Sequence, residues 1–206
     1  MSKIGINQRI PLSVLEIGLK AYIEGNYSTD YLKEQLSFEY SGKNRVVKAL
    51  GFVNKTILHN PLSNWILDNK QEILNALKQK WDRSVILIAL LNSAFPFSFT
   101  ILNTFAKYFM AQEFVSTELI KKEAINKYGS NRSTGNALYS VIPMFLESGF
   151  FVRTKPGLYQ FKDKIAPHSL IAKDLYRQSF LLNIPLLADS DMLIHEPYFK
   201  MIAVLD

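Results

Sequence analysis

The chain reads as a mainly α protein, an N-terminal helical bundle followed by a winged helix-turn-helix with a short β-hairpin wing. Three observations predict this. Apolar residues through the first half recur at three- and four-residue spacing, the helical period. From Ser84 to Ala106 no residue is charged, although Asn92, Ser93, Ser98 and Asn103 interrupt the run. Such a stretch suits two helices in the centre of a bundle better than a membrane span, which needs about 20 apolar residues in a row. Finally, residues 116–164 follow the order helix, tight turn, longer helix, hairpin. The expected units are residues 1–97 as the bundle, 98–164 as the winged helix-turn-helix, and 165–206 as a C-terminal helix with a strand-like tail.

In chain order, the first ten residues read as a loose arm. Val14, Leu15, Leu19 and Ile23 mark a helix from Ser13 to Glu24, stopped at Gly25-Asn26. Ser28 caps a second helix that breaks at Ser41-Gly42, and Val46, Leu50, Val53 and Ile57 mark a third. Pro61 is expected at the first position of the next helical stretch, where its missing N–H is harmless, with an interruption near Asp68-Asn69. The apolar helices run from Arg83 to Ala94 and from Ser98 to Glu113, split at Phe95-Pro96-Phe97.

The winged unit opens with Ser116 as N-cap and Glu118 in the first turn, and its first helix closes at Gly129. In the second helix Ala137, Leu138, Val141, Ile142, Phe145 and Leu146 line one face, so that face is expected to be buried. The other face and the first turn carry Asn131, Arg132, Ser133, Thr134, Asn136, Tyr139 and Ser140, side chains that donate to phosphate oxygens and base edges. This is the candidate recognition helix, with Pro143 a defect that kinks it or leaves a free carbonyl facing solvent. Gly149 ends it. Pro156-Gly157 suits a type II turn, which places Arg153 and Lys155 at the wing tip. Beyond the wing, Ser169 caps a helix through Leu175 and Phe180, and the tail has strand-like runs at Met192–Ile194 and Tyr198–Leu205.

Charge supports a polyanion partner. The net charge is +6 and the pI near 9.3. Residues 116–164 hold eight basic side chains against four acidic, whereas the last 42 residues hold three against five. Candidate DNA contacts are therefore Lys121, Lys122, Lys127, Asn131, Arg132, Ser133, Thr134, Asn136, Arg153 and Lys155. No acid lies between Glu39 and Asp68, so Lys43, Arg45, Lys48 and Lys55 form a possible second basic face, for which a solvated helix surface is the plainer reading.

Catalysis finds little support. His59, His168 and His195 are isolated, cysteine is absent, and no glycine-rich phosphate loop or nucleophile elbow occurs. The only close acid pair is Asp189 and Asp191. The expectation is a non-enzymatic protein with no cofactor and no metal site. The lack of cysteine fits a reducing cytoplasm, and the N-terminus shows no secretory leader.

Four stretches carry a resemblance: an N-terminal helix followed by GNYSTDYLKEQL, the NRVVKAL helix, the apolar RSVILIALLNSAF helix, and SNRSTGNALYSVIPMFLESGFF. Across residues 12–162 the layout resembles the BrxA family of BREX phage-resistance systems. The resemblance implies a cytoplasmic DNA-binding accessory factor in phage defence, with a bundle similar to that of the antitermination factor NusB and no activity of its own. The expected partner is double-stranded DNA, with other subunits of a defence complex as a second class and no membrane. Two rival readings are an assembly module using the tail, with Tyr198 and Phe199 exposed, and an RNA-binding bundle using Lys43 to Lys55.

Overall fold

The computed structural model describes residues 4–188 and 191–203. Within these, seven helices precede the winged unit: α1 (Leu12–Ile23), α2 (Thr29–Glu39), α3 (Lys43–Ile57), α4 (Ser63–Asp68), α5 (Lys70–Ala76), α6 (Lys80–Ala94) and α7 (Pro96–Phe109). Strand β1 (Phe114–Ser116), α8 (Thr117–Tyr128), α9 (Arg132–Glu147), β2 (Val152–Lys155) and β3 (Leu158–Gln160) follow. Helix α10 (Leu170–Asn183) and three short 3-10 turns complete the chain. The architecture is the predicted one, mainly helical with a small antiparallel wing.

Helix α6 is the axis of the bundle. Every residue from Val85 to Leu91 is buried, because α1, α3, α7 and α10 all pack around it. An all-round apolar helix has no solvent face to satisfy, and here it has none. Among the described residues no helix is long and apolar enough to cross a membrane.

The polar residues that interrupt the apolar run form a buried network. Asn92 Nδ2 donates to the Tyr198 hydroxyl at 2.8 Å, and Ser98 Oγ donates to Asn92 Oδ1 at 2.6 Å. Ser179 Oγ lies 3.0 Å from the same hydroxyl, and Asn183 Nδ2 donates to the Asn92 carbonyl at 3.2 Å. The Tyr176 and Tyr198 rings stack 4.1 Å apart. The network thus ties α6, α7, α10 and the C-terminal turn together with each member partnered, which is what makes buried polar groups tolerable.

Several local expectations need correction. The tail is not stranded: Asp191–His195 and Pro197–Met201 are 3-10 turns, and Ile202 makes one isolated parallel bridge to Ile165. Successive strand residues point to opposite faces, whereas Tyr198 and Phe199 both enter the core, which a turn started by Pro197 permits. Asp189 and Leu205 lie outside the described residues. The described part of the arm, residues 4–10, is anchored, not loose, since Ile6 and Ile10 are buried and Arg9 pairs with Glu147 at 2.6 Å. Pro61 sits in the turn before α4, where Asn60 Oδ1 accepts from Leu62 N–H. Helix α7 ends at Phe109, before the chain turns into β1, a strand the hydrophobic pattern did not reveal.

Burial pushes the Tyr198 hydroxyl up to about 12, against its hydrogen bonds to Ser179 and Asn92, and pushes Tyr176 well above its ordinary range. An unfolded tyrosine ionises near pH 10, so above that pH the unfolded state holds fewer protons than the native one and stability falls. We expect Tyr198→Phe to lower stability at neutral pH by about 1–3 kcal/mol, since Asn92 loses its acceptor. It should also flatten the loss between pH 10 and 12 by up to about 1.4 kcal/mol per pH unit. Urea denaturation of both proteins at pH 7 and pH 11 checks both effects.

Candidate nucleic-acid interface

Side-chain caps build the helix-turn-helix. Ser116 Oγ accepts from Leu119 N–H at 3.2 Å and starts α8. Gly129 ends α8 with φ 88° and ψ 156°, an extended backbone at positive φ that glycine alone adopts readily and not the left-handed helical stop expected. Asn131 Oδ1 then accepts from Thr134 N–H at 3.0 Å and starts α9. At the far end Gly149 N–H donates to the Leu146 carbonyl and Phe150 N–H to the Phe145 carbonyl, the paired bonds of a Schellman stop. A Cβ on Gly149 would sit 3.0 Å from the Trp81 ring, so the space as well as the positive φ selects glycine there.

Helix α9 is continuous through Pro143. Proline offers no N–H to the Tyr139 carbonyl one turn earlier. The residue carrying that carbonyl, Tyr139, stands on the exposed side of the helix.

The α9 surface separates the predicted contacts into two groups. Arg132, Ser133 and Asn136 are exposed, and Tyr139 stands 74 % exposed on the same side. Thr134 does not belong with them. It is 1 % exposed, and its hydroxyl donates to the Gly129 carbonyl at 2.8 Å. Asn131 is likewise occupied as the cap, and Ser140 is buried, donating to the Asn136 carbonyl at 2.7 Å. These residues shape the turn and helix, and of the three only Asn131 stays exposed, with its Oδ1 committed to the cap.

Beside α9 stands the wing, a three-stranded sheet of order β1-β3-β2. Thr117 N–H donates to the Gly157 carbonyl at 2.8 Å, fixing the hairpin turn to the start of α8. Gly157 has φ 75°, as the second central position of the expected turn requires. Arg153 and Lys155 are exposed on β2, and the Arg153 guanidinium lies 5.8 Å from the Tyr159 ring centre. Between wing and helix runs a groove of about 340 Å³ lined by Arg153, Tyr139, Pro143 and Glu118. Lys121 and Lys122, both exposed, follow Glu118 at i+3 and i+4 and so continue its side of α8.

A second groove, of about 580 Å³, lies on the other side of Tyr139. It is lined by Asn136 and Tyr139 of α9 and by Arg9, Arg45 and Lys48. The possible second basic face therefore divides. Arg45 and Lys48 reach α9 from the bundle side. Lys43 instead lines a cleft with Asp30 and Glu34, and the Lys55 ammonium sits 4.5 Å over the Phe95 ring. Arg9 was not among the sequence candidates; it is paired with Glu147, whose other oxygen accepts from Leu12 N–H at 3.2 Å. Lys127 also leaves the set. Its ammonium bonds Thr100 Oγ1 at 3.0 Å, on the α7 side of α8.

These assignments separate by stability. Thr134→Val should lower unfolding stability by about 0.5–1.5 kcal/mol, since the Gly129 carbonyl loses one of its two donors and keeps the Asn131 N–H at 3.1 Å, whereas Ser133→Ala and Arg132→Ala should shift it by under about 0.5 kcal/mol. Chemical denaturation of the three variants checks this, and an unchanged Thr134→Val would return Thr134 to the exposed surface.

No protein-family model, no curated protein and no solved structure matches the chain.

Proposed function

We propose that the protein is a non-enzymatic double-stranded-DNA-binding accessory protein that sets α9 into the major groove. The observation carrying this reading is the placement of cations on both flanks of one exposed helix face, Arg153 across one groove and Arg45 with Lys48 across the other. A B-form major groove about 12 Å wide admits a helix and leaves a phosphate backbone on each side. Cations flanking the helix then meet both backbones and displace counterions, while Arg132, Ser133 and Asn136 face base edges. The acids nearby do not cancel this, since Glu147 is paired with Arg9. Glu118 remains on the wing groove and works against binding there. The resemblance to the BrxA family supports a setting in BREX-type phage defence.

A second reading, an assembly module, is favoured by exposed aliphatic residues in the C-terminal segment. Leu170 and Leu186 are 69 % and 94 % exposed, and Met192 and Ile194 are exposed as well. Tyr198 and Phe199, named for this role from the sequence, are buried instead. Removing residues 186–206 would therefore unfold the core, and Leu186→Ser with Ile194→Ser is the apt variant.

Fluorescence anisotropy with a labelled random duplex across a salt series tests the DNA reading. Arg153→Ala with Lys155→Ala, and separately Arg45→Ala with Lys48→Ala, should each reduce the salt slope by about two and weaken binding to all sequences alike. Lys43→Ala should leave both unchanged. Duplex binding that ignores the Arg45 and Lys48 pair would remove the bundle from the interface, and no duplex binding at all would overturn the reading.

A further inference from the structure

Away from α9, a cleft of about 530 Å³ opens between α7, α8 and the end of α10. Helix α7 is apolar and aromatic apart from the buried Ser98, yet Thr100, Asn103, Thr104 and Lys107 fall at i, i+3, i+4 and i+7 and all line this cleft. Asn126 and Lys127 of α8 face them, with Asn183 of α10 beside. The volume lies in the range of small-molecule sites, which run from about 300 to 1,000 Å³.

Two observations inside the cleft point to a ligand. The Asn103 side chain is 8 % exposed, and its carboxamide makes no hydrogen bond with the protein; Oδ1 is fully buried without a partner. Among the described residues it is the one such atom, where native interiors pair nearly all of theirs. Second, Lys107 and Lys127 approach each other with no carboxylate between them. Among the described residues neither forms a salt bridge, and the one acid lining the cleft, Glu123, accepts from the Tyr108 hydroxyl at 3.0 Å. Burial and then the Lys107 charge press the Lys127 ammonium toward its neutral form.

We propose that this cleft binds a small organic anion, a carboxylate or phosphate monoester bearing a hydroxyl, with its charge between Lys107 and Lys127 and its hydroxyl on the Asn103 carboxamide. The anion relieves the repulsion between the lysines, the Thr100 and Thr104 hydroxyls, which donate to the Pro96 and Thr100 carbonyls, keep the wall polar without donating to the ligand, and the hydroxyl gives Asn103 the partner that the fold withholds. The site does not include α9 and stands whether or not the chain binds DNA.

The full chain, isotopically labelled, would be titrated at constant ionic strength with glycerol 3-phosphate and separately with malate, following backbone amide shifts. Saturable shifts at Thr100, Asn103, Thr104 and Lys127 with one probe, weakened at least tenfold in Lys107→Met or Lys127→Met, are expected. Which probe saturates tells the phosphate ester from the carboxylate. Asn103→Leu removes an unpaired polar group, so it should keep or raise the thermal midpoint while weakening binding at least fivefold. The Lys127 side-chain titration should also move to higher pH in the bound state. Absence of saturable shifts with both probes, or affinity unchanged in the lysine variants or in Asn103→Leu, would overturn the proposal. Lys107 is exposed, so its variant reports even where Lys127→Met fails to fold.

Discussion

Helix α7 separates from α6 because Phe95 is extended and Pro96 supplies no N–H to continue the earlier helix, and where its rings then go decides how the other parts meet. Phe97 contacts Tyr128 of α8 at 4.9 Å between ring centres. Phe99 meets Phe180 of α10 and Tyr198 of the C-terminal turn. Phe105 meets Phe151 at 4.4 Å and Tyr159 of the wing at 5.4 Å, and Phe109 stacks on Phe161. Each such pair contributes about 0.5–1.5 kcal/mol beyond its buried area. A single helix thereby fastens the helix-turn-helix, the wing and the C-terminus to the bundle, and the aromatic richness of residues 95–109 has this as its cause.

The fold class and most helix boundaries were legible because their signals are local. Ser28, Ser116 and Ser169 each cap the helix expected of them, and the 3.6-residue period fixed which face of α9 is buried. Errors came where the deciding partner is distant in sequence. Arg9 and Ile10 look like parts of a free arm until Glu147 and the core are in place. β1 is three residues long and exists through its pairing with β3, so no periodicity could reveal it. Tyr198 and Phe199 open an apolar run that reads as a strand, but Asn92, Ser179 and Phe99 draw Tyr198 inward while the α10 rings Tyr176 and Phe180 take Phe199.

The candidate interface was legible in composition and less so in geometry. Sequence alone named Arg132, Asn136 and Arg153, since a polar helix face and a basic hairpin are visible in the pattern. It could not distinguish Thr134 from Ser133: both are small hydroxyl residues in the first turn, and only the Gly129 carbonyl 2.8 Å away commits one of them. Nor could it divide the basic window of α3, where Arg45 and Lys48 share a groove with α9 while Lys43 and Lys55 face elsewhere. Charge density is a sequence property, but the direction of each charge is a tertiary one.

That direction bears on how tightly a surface of this kind can hold a duplex. Arg153 stands on a sheet anchored through Tyr159 and Phe151 to α7, and Arg45 stands on α3, which packs on the same α6 axis. The two flanking walls are thus set by one continuous core, and the Arg9–Glu147 pair fixes the end of α9 to the start of α1. Under the DNA-binding reading, little ordering of the walls remains to oppose association, because the spacing between cations is already held. The same rigidity limits adaptation. A duplex whose backbone spacing departs from that of the walls must itself bend or lose one flank of contacts, so preference among sequences would arise from deformability as well as from Arg132 and Asn136 at base edges.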